Sequence, residues 1–403
     1  MDKLIAQNLF KNPFLSQFIL TTSLLPFKDH EILKLDSDLS KYEQLFLNPD
    51  IENNLISKNE LLASFAISKA ENSLLTLKEA EDVYKFILQN KDYVFISNKI
   101  KAKQKLTRKD YEKLEFFNIA KTFRKYNENP VHIKDIDISY IRDLHVQLTQ
   151  GLDIFKDYLP DIDIYKSGIF RDSNNIRVGT YIPSDYHEIN NAIEELLLFV
   201  KHNQTITAVG IFHTALYALH PFNNGNKRVS RMLEHIFLRS LGVNSKNLYS
   251  TSYYYHKEKQ RYYKYLLYSL ERKNLNHFVS FFEEALTLSI ISVIKTSIET
   301  KRIEFLKNKD IDDQTRIILR PLIKRKELQF KNLFNAVKGK MARQTFVNYL
   351  QSATEKRIII KRESGRNTHY MINSNIHEEE VFRTSFNFIN TRLSFIPDDI
   401  KLT

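Results

Sequence analysis

Across 403 residues the chain carries only 8 glycines and 9 prolines, too few to punctuate a fold of many short strands, while its apolar residues recur at spacings of three and four over long stretches. Such a chain is committed to helices. Ile189 to Val200 and Ala208 to Leu219 carry the pattern unbroken, and Leu61 to Leu88 carries it in pieces. The predicted fold class is mainly α with small β insertions. One insertion falls at Gly168 to Pro183, where Ile176, Val178 and Tyr181 form a short strand-like segment around Gly179. The sequence holds no internal repeat and no low-complexity segment.

With 42% hydrophobic and 27% charged residues, the composition is that of a soluble globular protein of two or three domains. The chain contains no cysteine, which excludes a disulfide framework, a thiolate metal site and a cysteine nucleophile. The apolar stretch Phe14 to Phe27 is interrupted by Ser16, Gln17, Thr21, Thr22 and Ser23, and reads as a core helix rather than a signal peptide. No run approaches the roughly 20 apolar residues of a membrane-spanning helix. A cytoplasmic protein without membrane association is expected.

Charge is uneven along the chain. Arg316 to Ile372 holds 14 Lys or Arg against three acids, Glu327, Glu355 and Glu363, a net of +11 compared with +12 for the whole sequence. The same segment predicts a helix near Lys331 to Val337, a turn at Lys338-Gly339-Lys340, a second helix from Ala342 to Lys356, and a hairpin. The hairpin strands are Ile358 to Ile360 and His369 to Ile372, with Ser364-Gly365-Arg366-Asn367 at the tip. That order of elements resembles a winged helix. Two readings stay open. Arg343, Gln344 and Asn348 can enter a DNA major groove while Lys361, Arg362 and Arg366 meet phosphates, or the basic face is solvated and serves packing or dimerisation.

The chemistry is concentrated in His220-Pro221-Phe222-Asn223-Asn224-Gly225-Asn226-Lys227-Arg228-Val229-Ser230-Arg231. A helical run ends near Leu219 and another begins at Val229. A Gly-containing turn that feeds a helix N-terminus gathers unpaired N–H groups and the positive end of the helix dipole, so it can hold phosphate oxygens. Arg228 and Arg231 lie three apart on one helix face. Asn226 offers a neutral hydrogen bond, and His220 can accept a proton near neutral pH. Taken singly, each of these residues has an ordinary structural explanation.

Together they resemble the Fic-family motif, His-x-Phe-x-Asp/Glu-Gly-Asn-Gly/Lys-Arg-x-x-Arg, at every position but one. The resemblance extends over most of residues 60 to 285. It implies an N-terminal helical region over 1–110 with an inhibitory helix near 64–72 and a Fic-type helical core with a small β-hairpin flap over 111–300; the basic winged-helix-like segment then forms a third domain over 301–403.

The implied activity is protein adenylylation, the transfer of AMP from ATP with Mg²⁺ to a Ser, Thr or Tyr hydroxyl of a target protein. His220 would be the general base and Phe222 the anchor of the loop. Asn224, Gly225, Asn226, Lys227, Arg228 and Arg231 would hold ATP and its phosphates. Val178 and Gly179 of the flap would pair with the target, and Tyr262 and Tyr263 would form the adenine pocket. Ile67-Ser68-Lys69-Ala70-Glu71-Asn72 resembles the inhibitory helix of self-regulated members, with Glu71 pairing to Arg231 and with reversal by AMP removal in the inhibited state. Relatives often self-associate, so the resemblance also raises a homodimer.

Two residues depart from the common pattern. Asn224 stands where relatives carry the Mg²⁺-ligating acid, and an amide oxygen is the weaker ligand. Lys227 replaces the commoner Gly, as in the Doc-like branch, some of whose members phosphorylate their targets. Phosphoryl transfer by the same site therefore stays open. So does a DNA-associated regulator in which the Fic domain is a degenerate nucleotide-binding module.

Overall fold

Several helix starts in this chain are set locally. Thr76 and Glu79 cap α3 (Leu77–Leu88) reciprocally, and Thr107 and Asp110 do the same for α5 (Arg108–Glu128). Asp137 caps α6 (Ile138–Thr149) and Thr205 caps α8 (Ile206–Leu219), each accepting a first-turn N–H. The computed structural model describes residues 7–41, 49–70, 72–160, 166–308, 311–364, 367–374 and 378–401. Glu71, Gly365 and Arg366, singled out in the sequence, lie outside the described residues.

Two compact units result, Met1–Ser37 with Asn48–Ser289, and Asp38–Leu47 with Ile290–Thr403. The N-terminal helices and the residues of the motif fall in the first. That unit opens with β1 (Gln7–Asn8) paired antiparallel to β2 (Ile19–Leu20), followed by the first part of α1 (Asp29–Lys41), α2 (Pro49–Lys69), α3, α4 (Phe95–Lys101) and α5. After α6 come α7 (Ile189–His202), α8, α9 (Asn226–Ser240), α10 (Thr251–Lys257), α11 (Lys259–Glu271) and the first part of α12 (Asn276–Asn308).

Helix α8 lies at the centre of the first unit. Each residue from Ala208 to Leu219 is buried, so the helix has no solvent face, and it packs against α7, α9 and α11. Gly210 is required there by close approach, because a Cβ would sit 2.7 Å from the Phe282 ring of α12.

The second unit contains α13 (Asp313–Ile323), β3 (Leu328–Gln329), α14 (Phe330–Val337), α15 (Arg343–Glu355), β4 (Ile359–Ser364), β5 (Asn367–Ile372) and α16 (Glu378–Asn390). Its three strands are antiparallel in the order β3-β5-β4. Leu319, Leu333, Phe346, Leu350 and Ile358 are central to its core.

Three sequence expectations change. Phe14 to Phe27 is not a helix but two short 3₁₀ turns around β2, with Leu15, Phe18, Leu20 and Phe27 buried. Its backbone is satisfied by a distant partner, since Ile19 exchanges bonds with Lys273 and Leu275, and Thr21 with the Asn276 amide. Local periodicity carries no sign of such pairing. Helix α12 is, by length and composition, apolar enough to cross a membrane, contrary to the reading that no run approaches this, and most of its apolar stretch is buried inside the protein. The flap hairpin is reduced to a single bridge, in which Val178 and Tyr181 exchange N–H···O bonds of 3.0 and 3.1 Å.

Candidate active site

The site is built on the abrupt end of one buried helix and the start of the next. Pro221 cannot continue α8, and His220 turns the chain by adopting the left-handed conformation, φ 49°. A helix end leaves carbonyls without intrahelical donors, and here a segment 35 to 50 residues earlier supplies the donors. Arg171, 3% exposed, donates from Nε to the His220 carbonyl at 2.9 Å and from Nη2 to the Leu219 carbonyl at 3.2 Å. Its own N–H reaches the Pro221 carbonyl at 2.8 Å. The Tyr181 hydroxyl donates to Ala218 at 3.3 Å, and the Ser184 hydroxyl to Leu219 at 3.3 Å. The Arg171 guanidinium also bonds the Ser184 carbonyl, tying the flap to the same helix end. The half-buried His220 imidazole packs edge-on against the Tyr217 ring, with ring centroids 5.3 Å apart.

The turn after His220 is locked from inside. Phe222 is fully buried and stacks on His145, with ring centroids 3.9 Å apart and planes 4° from parallel. The Asn226 amide closes the turn, accepting the Phe222 N–H at 2.9 Å and donating to the Phe222 carbonyl at 2.7 Å. On His145, Nδ1 accepts the Gly168 N–H at 2.9 Å, so the proton resides on Nε2, which donates to the Asn224 carbonyl at 3.0 Å. The pKa of this imidazole is lowered to about 4, chiefly by burial, with the Asn224 carbonyl opposing and the Arg228 cation adding to the shift. His145 is therefore neutral at physiological pH and fixes the loop to the base of the flap.

Gly225, at φ 79°, precedes the first turn of α9. A Cβ there would meet His145 Nε2 at 3.2 Å and Arg228 Nη2 at 3.3 Å. At a helix N-terminus the first-turn N–H groups point along the axis away from the helix, the arrangement that suits an anion. Asn224 Oδ1 accepts the Gly225 N–H at 2.7 Å.

The three cations of the motif are engaged by protein oxygens. Arg228, fully buried, pairs with Glu115 at 2.9 Å. Arg231, 2% exposed, donates to the Ala66 carbonyl at 3.2 Å and lies 4.4 Å over the Tyr262 ring. Lys227 donates to the Ala70 carbonyl at 3.3 Å, 5.3 Å over the Tyr263 ring. Tyr263 bonds the same carbonyl at 2.8 Å. The C-terminal end of α2 thus lies on the motif.

Of the two tyrosines, Tyr263 is half-buried, whereas Tyr262 is closed off beneath Arg231. Its hydroxyl lies 3.3 Å from His213 Nε2, and the other His213 nitrogen is 2.6 Å from Glu234, which also accepts from the Tyr255 hydroxyl at 2.9 Å. Val178 and Gly179 form the tip of the flap.

Arg171, His145 and Glu115 carry roles the sequence reading did not assign. His145 falls on the apolar face of α6 with Ile141, Leu144 and Leu148, and Glu115 falls on the buried side of α5 with Tyr111 and Asn118. A polar side chain at a core position of a periodic helix was the available signal. Arg171 closes the apolar run Ile169-Phe170, a weaker sign of the same kind.

The Fic/DOC family model matches residues 135–238, the stretch from just before α6 to near the end of α9. These residues are a Fic/DOC family domain. Solved structures with similar folds include a Fic family protein from Desulfovibrio desulfuricans G20, at 18% identity over 88% of this chain and 99% of that one, with a TM-score of 0.47. A Fic domain containing signaling protein from Bacteroides thetaiotaomicron aligns at 15% identity over 66% and 96%, with a TM-score of 0.46. Fic-1 (residues 134–508) from C. elegans aligns at 14% identity over 66% and 71%, with a TM-score of 0.45. No curated protein matches the chain.

Proposed function

We propose that this chain is a protein adenylyltransferase acting in the cytoplasm, which moves AMP from ATP to a Ser, Thr or Tyr hydroxyl of another protein. A Fic/DOC domain supports a Fic-type transferase in general. The observation that carries the finer reading is the junction at His220, where an imidazole held at a rigid helix end is followed within a few residues by a helix N-terminus and three cations. His220 takes the proton of the attacking hydroxyl. The oxygen bonds to the α-phosphorus, the bond from that phosphorus to the β-phosphate oxygen breaks, and pyrophosphate leaves. First-turn N–H groups and Lys227, Arg228 and Arg231 hold the phosphates, so catalysis is positioning and charge stabilisation. The Asn226 side chain, committed to Phe222, acts by shaping the turn. The flap at Val178 and Gly179 offers backbone groups to a target peptide.

The donor set fits Mg²⁺ only as an ion that arrives on the nucleotide. Among the described residues no cluster of three carboxylates or imidazoles could hold a metal, and the loop contributes the Asn224 amide oxygen. When bound, Mg²⁺ supplies neutralisation of phosphate charge.

In the same reading the end of α2 restrains the enzyme. ATP must compete with the Ala66 and Ala70 carbonyls for Arg231 and Lys227, and with Glu115 for Arg228. Glu71, at that end of the chain segment, is the inhibitory residue, and AMP removal belongs to the restrained state. Lys227, where the commoner residue is Gly, favours a second reading in which the γ-phosphate is transferred instead.

The test is incubation of wild-type, Glu71→Gly and His220→Ala proteins with α-labelled or γ-labelled ATP and Mg²⁺. Adenylylation under Glu71 control requires α-label in the Glu71→Gly protein, at least tenfold above wild type, that disappears when His220 is also replaced. Transfer of γ-label alone would establish phosphorylation. No transfer of either label would leave the domain a nucleotide-binding module.

A further inference from the structure

We propose that the second unit is a winged-helix module that binds duplex DNA, with α15 in the major groove and β4 against the backbone. Its elements run helix, strand, helix, helix, strand, strand, and β3 closes the sheet beside β5. Helices α14 and α15 are joined by five residues that include exposed Lys338 and Lys340. Phe346, Leu350 and Ala353 fix α15 to the core, which leaves its opposite face outward.

That outward face has the chemistry of a base-reading surface. Arg343, Gln344 and Asn348 are exposed, and Gln344 Nε2 donates to Asn348 Oδ1 at 3.0 Å, aligning two amides one turn apart. Guanidinium and amide groups are the side chains that match guanine and adenine edges in the major groove. No acid interrupts Arg343 to Thr354.

Electrostatics points to the same polyanion. Of the three acids between Arg316 and Ile372, Glu363 is paired with Lys361 at 2.8 Å and Glu327 with His369 at 3.0 Å, against 14 basic residues. Lys361 and Arg362 are exposed on β4, where a wing meets phosphates. A solvated face for packing would not need this excess, since like charges repel a second copy of the chain. Duplex RNA fits less well, because its deep, narrow major groove excludes a helix.

The experiment titrates the full chain into a fluorescent mixed-sequence DNA duplex of about 24 base pairs and reads anisotropy between 50 and 200 mM KCl. With about four phosphates neutralised, affinity should fall roughly a hundredfold over that range. Lys361→Ala with Arg362→Ala should lower the slope of log affinity against log salt by about two. Arg343→Ala, on the outward face, should weaken binding about tenfold with unchanged melting temperature, and His220→Ala should bind as wild type. The proposal is overturned if no binding occurs at 50 mM KCl, if both sets of substitutions leave it unchanged, or if a duplex RNA of equal length binds as tightly.

Discussion

A non-glycine residue in the left-handed region costs on the order of 1 kcal/mol, and a helix end adds carbonyls in need of donors. At His220 both costs are offset by Arg171, whose guanidinium reaches Leu219 and His220 while its N–H reaches Pro221. The cation also complements the negative end of the α8 dipole. Arg171 therefore sets where the His220 imidazole points without lying on the reaction path. Arg171→Ala strips donors from buried carbonyls, at about 1–3 kcal/mol each. Measured below the melting temperature of the variant, kcat for the proposed AMP transfer should fall at least tenfold while KM for ATP changes less than threefold. Arg171→Lys should recover only part of kcat, because an ammonium cannot reproduce the planar fork. Equal losses in kcat and KM, or full rescue by Lys, would show that Arg171 contributes stability alone.

Buried arginines cap helix ends in both units. Arg302 of α12, 2% exposed, donates to the carbonyls of Leu322 and Ile323 at the end of α13 and of Arg325 just beyond it, and pairs with Glu379 at 2.8 Å. At the other kind of terminus, the start of α9, Gly225 does the equivalent work through its backbone. Gly225→Ala would place a methyl group against His145 and Arg228 at positive φ, costing about 1–3 kcal/mol. Urea unfolding should show that loss, and nucleotide binding by the folded variant should weaken several-fold as the first turn shifts. Unchanged affinity would mean that the turn does not contact phosphate. The elements themselves were largely legible in the sequence. Apolar spacing located α7 and α8 within two residues at each end, and the motif located the α8 to α9 turn, because both are encoded by neighbours along the chain. The pairing of β2 with residues 273 to 275, the clamp of Arg171 on Leu219, and the ion pair of Glu115 with Arg228 were not, because each depends on a partner far away in sequence and on residues that look ordinary in isolation.

At the scale of the whole chain, two units with separate cores should not melt as one two-state transition, and calorimetry can resolve them by a group present in only one. Glu283 of α12 is fully buried in the first unit and accepts the Phe27 N–H at 3.2 Å. Burial raises its carboxyl pKa to about 8, with Asp29 and Glu31 adding to the shift, and the Phe27 N–H and the Thr207 hydroxyl opposing it. In the unfolded chain a glutamate releases its proton near 4.5. Below that value Glu283 is protonated in both states and costs nothing. As pH rises from there to about 8, the folded state retains a proton that the unfolded state has lost, so stability declines, by a total on the order of 4 kcal/mol. Glu283→Gln is neutral at every pH and keeps the size and shape of the side chain. The transition of the first unit should therefore fall between pH 6 and pH 9 in wild type, and fall less in the variant, which at pH 9 should melt several degrees higher. Near pH 5 the two proteins should melt close together, and the transition of the second unit should be the same in both at every pH. Parallel curves across the whole range would show that Glu283 is ionised in the folded protein and stabilised by a partner.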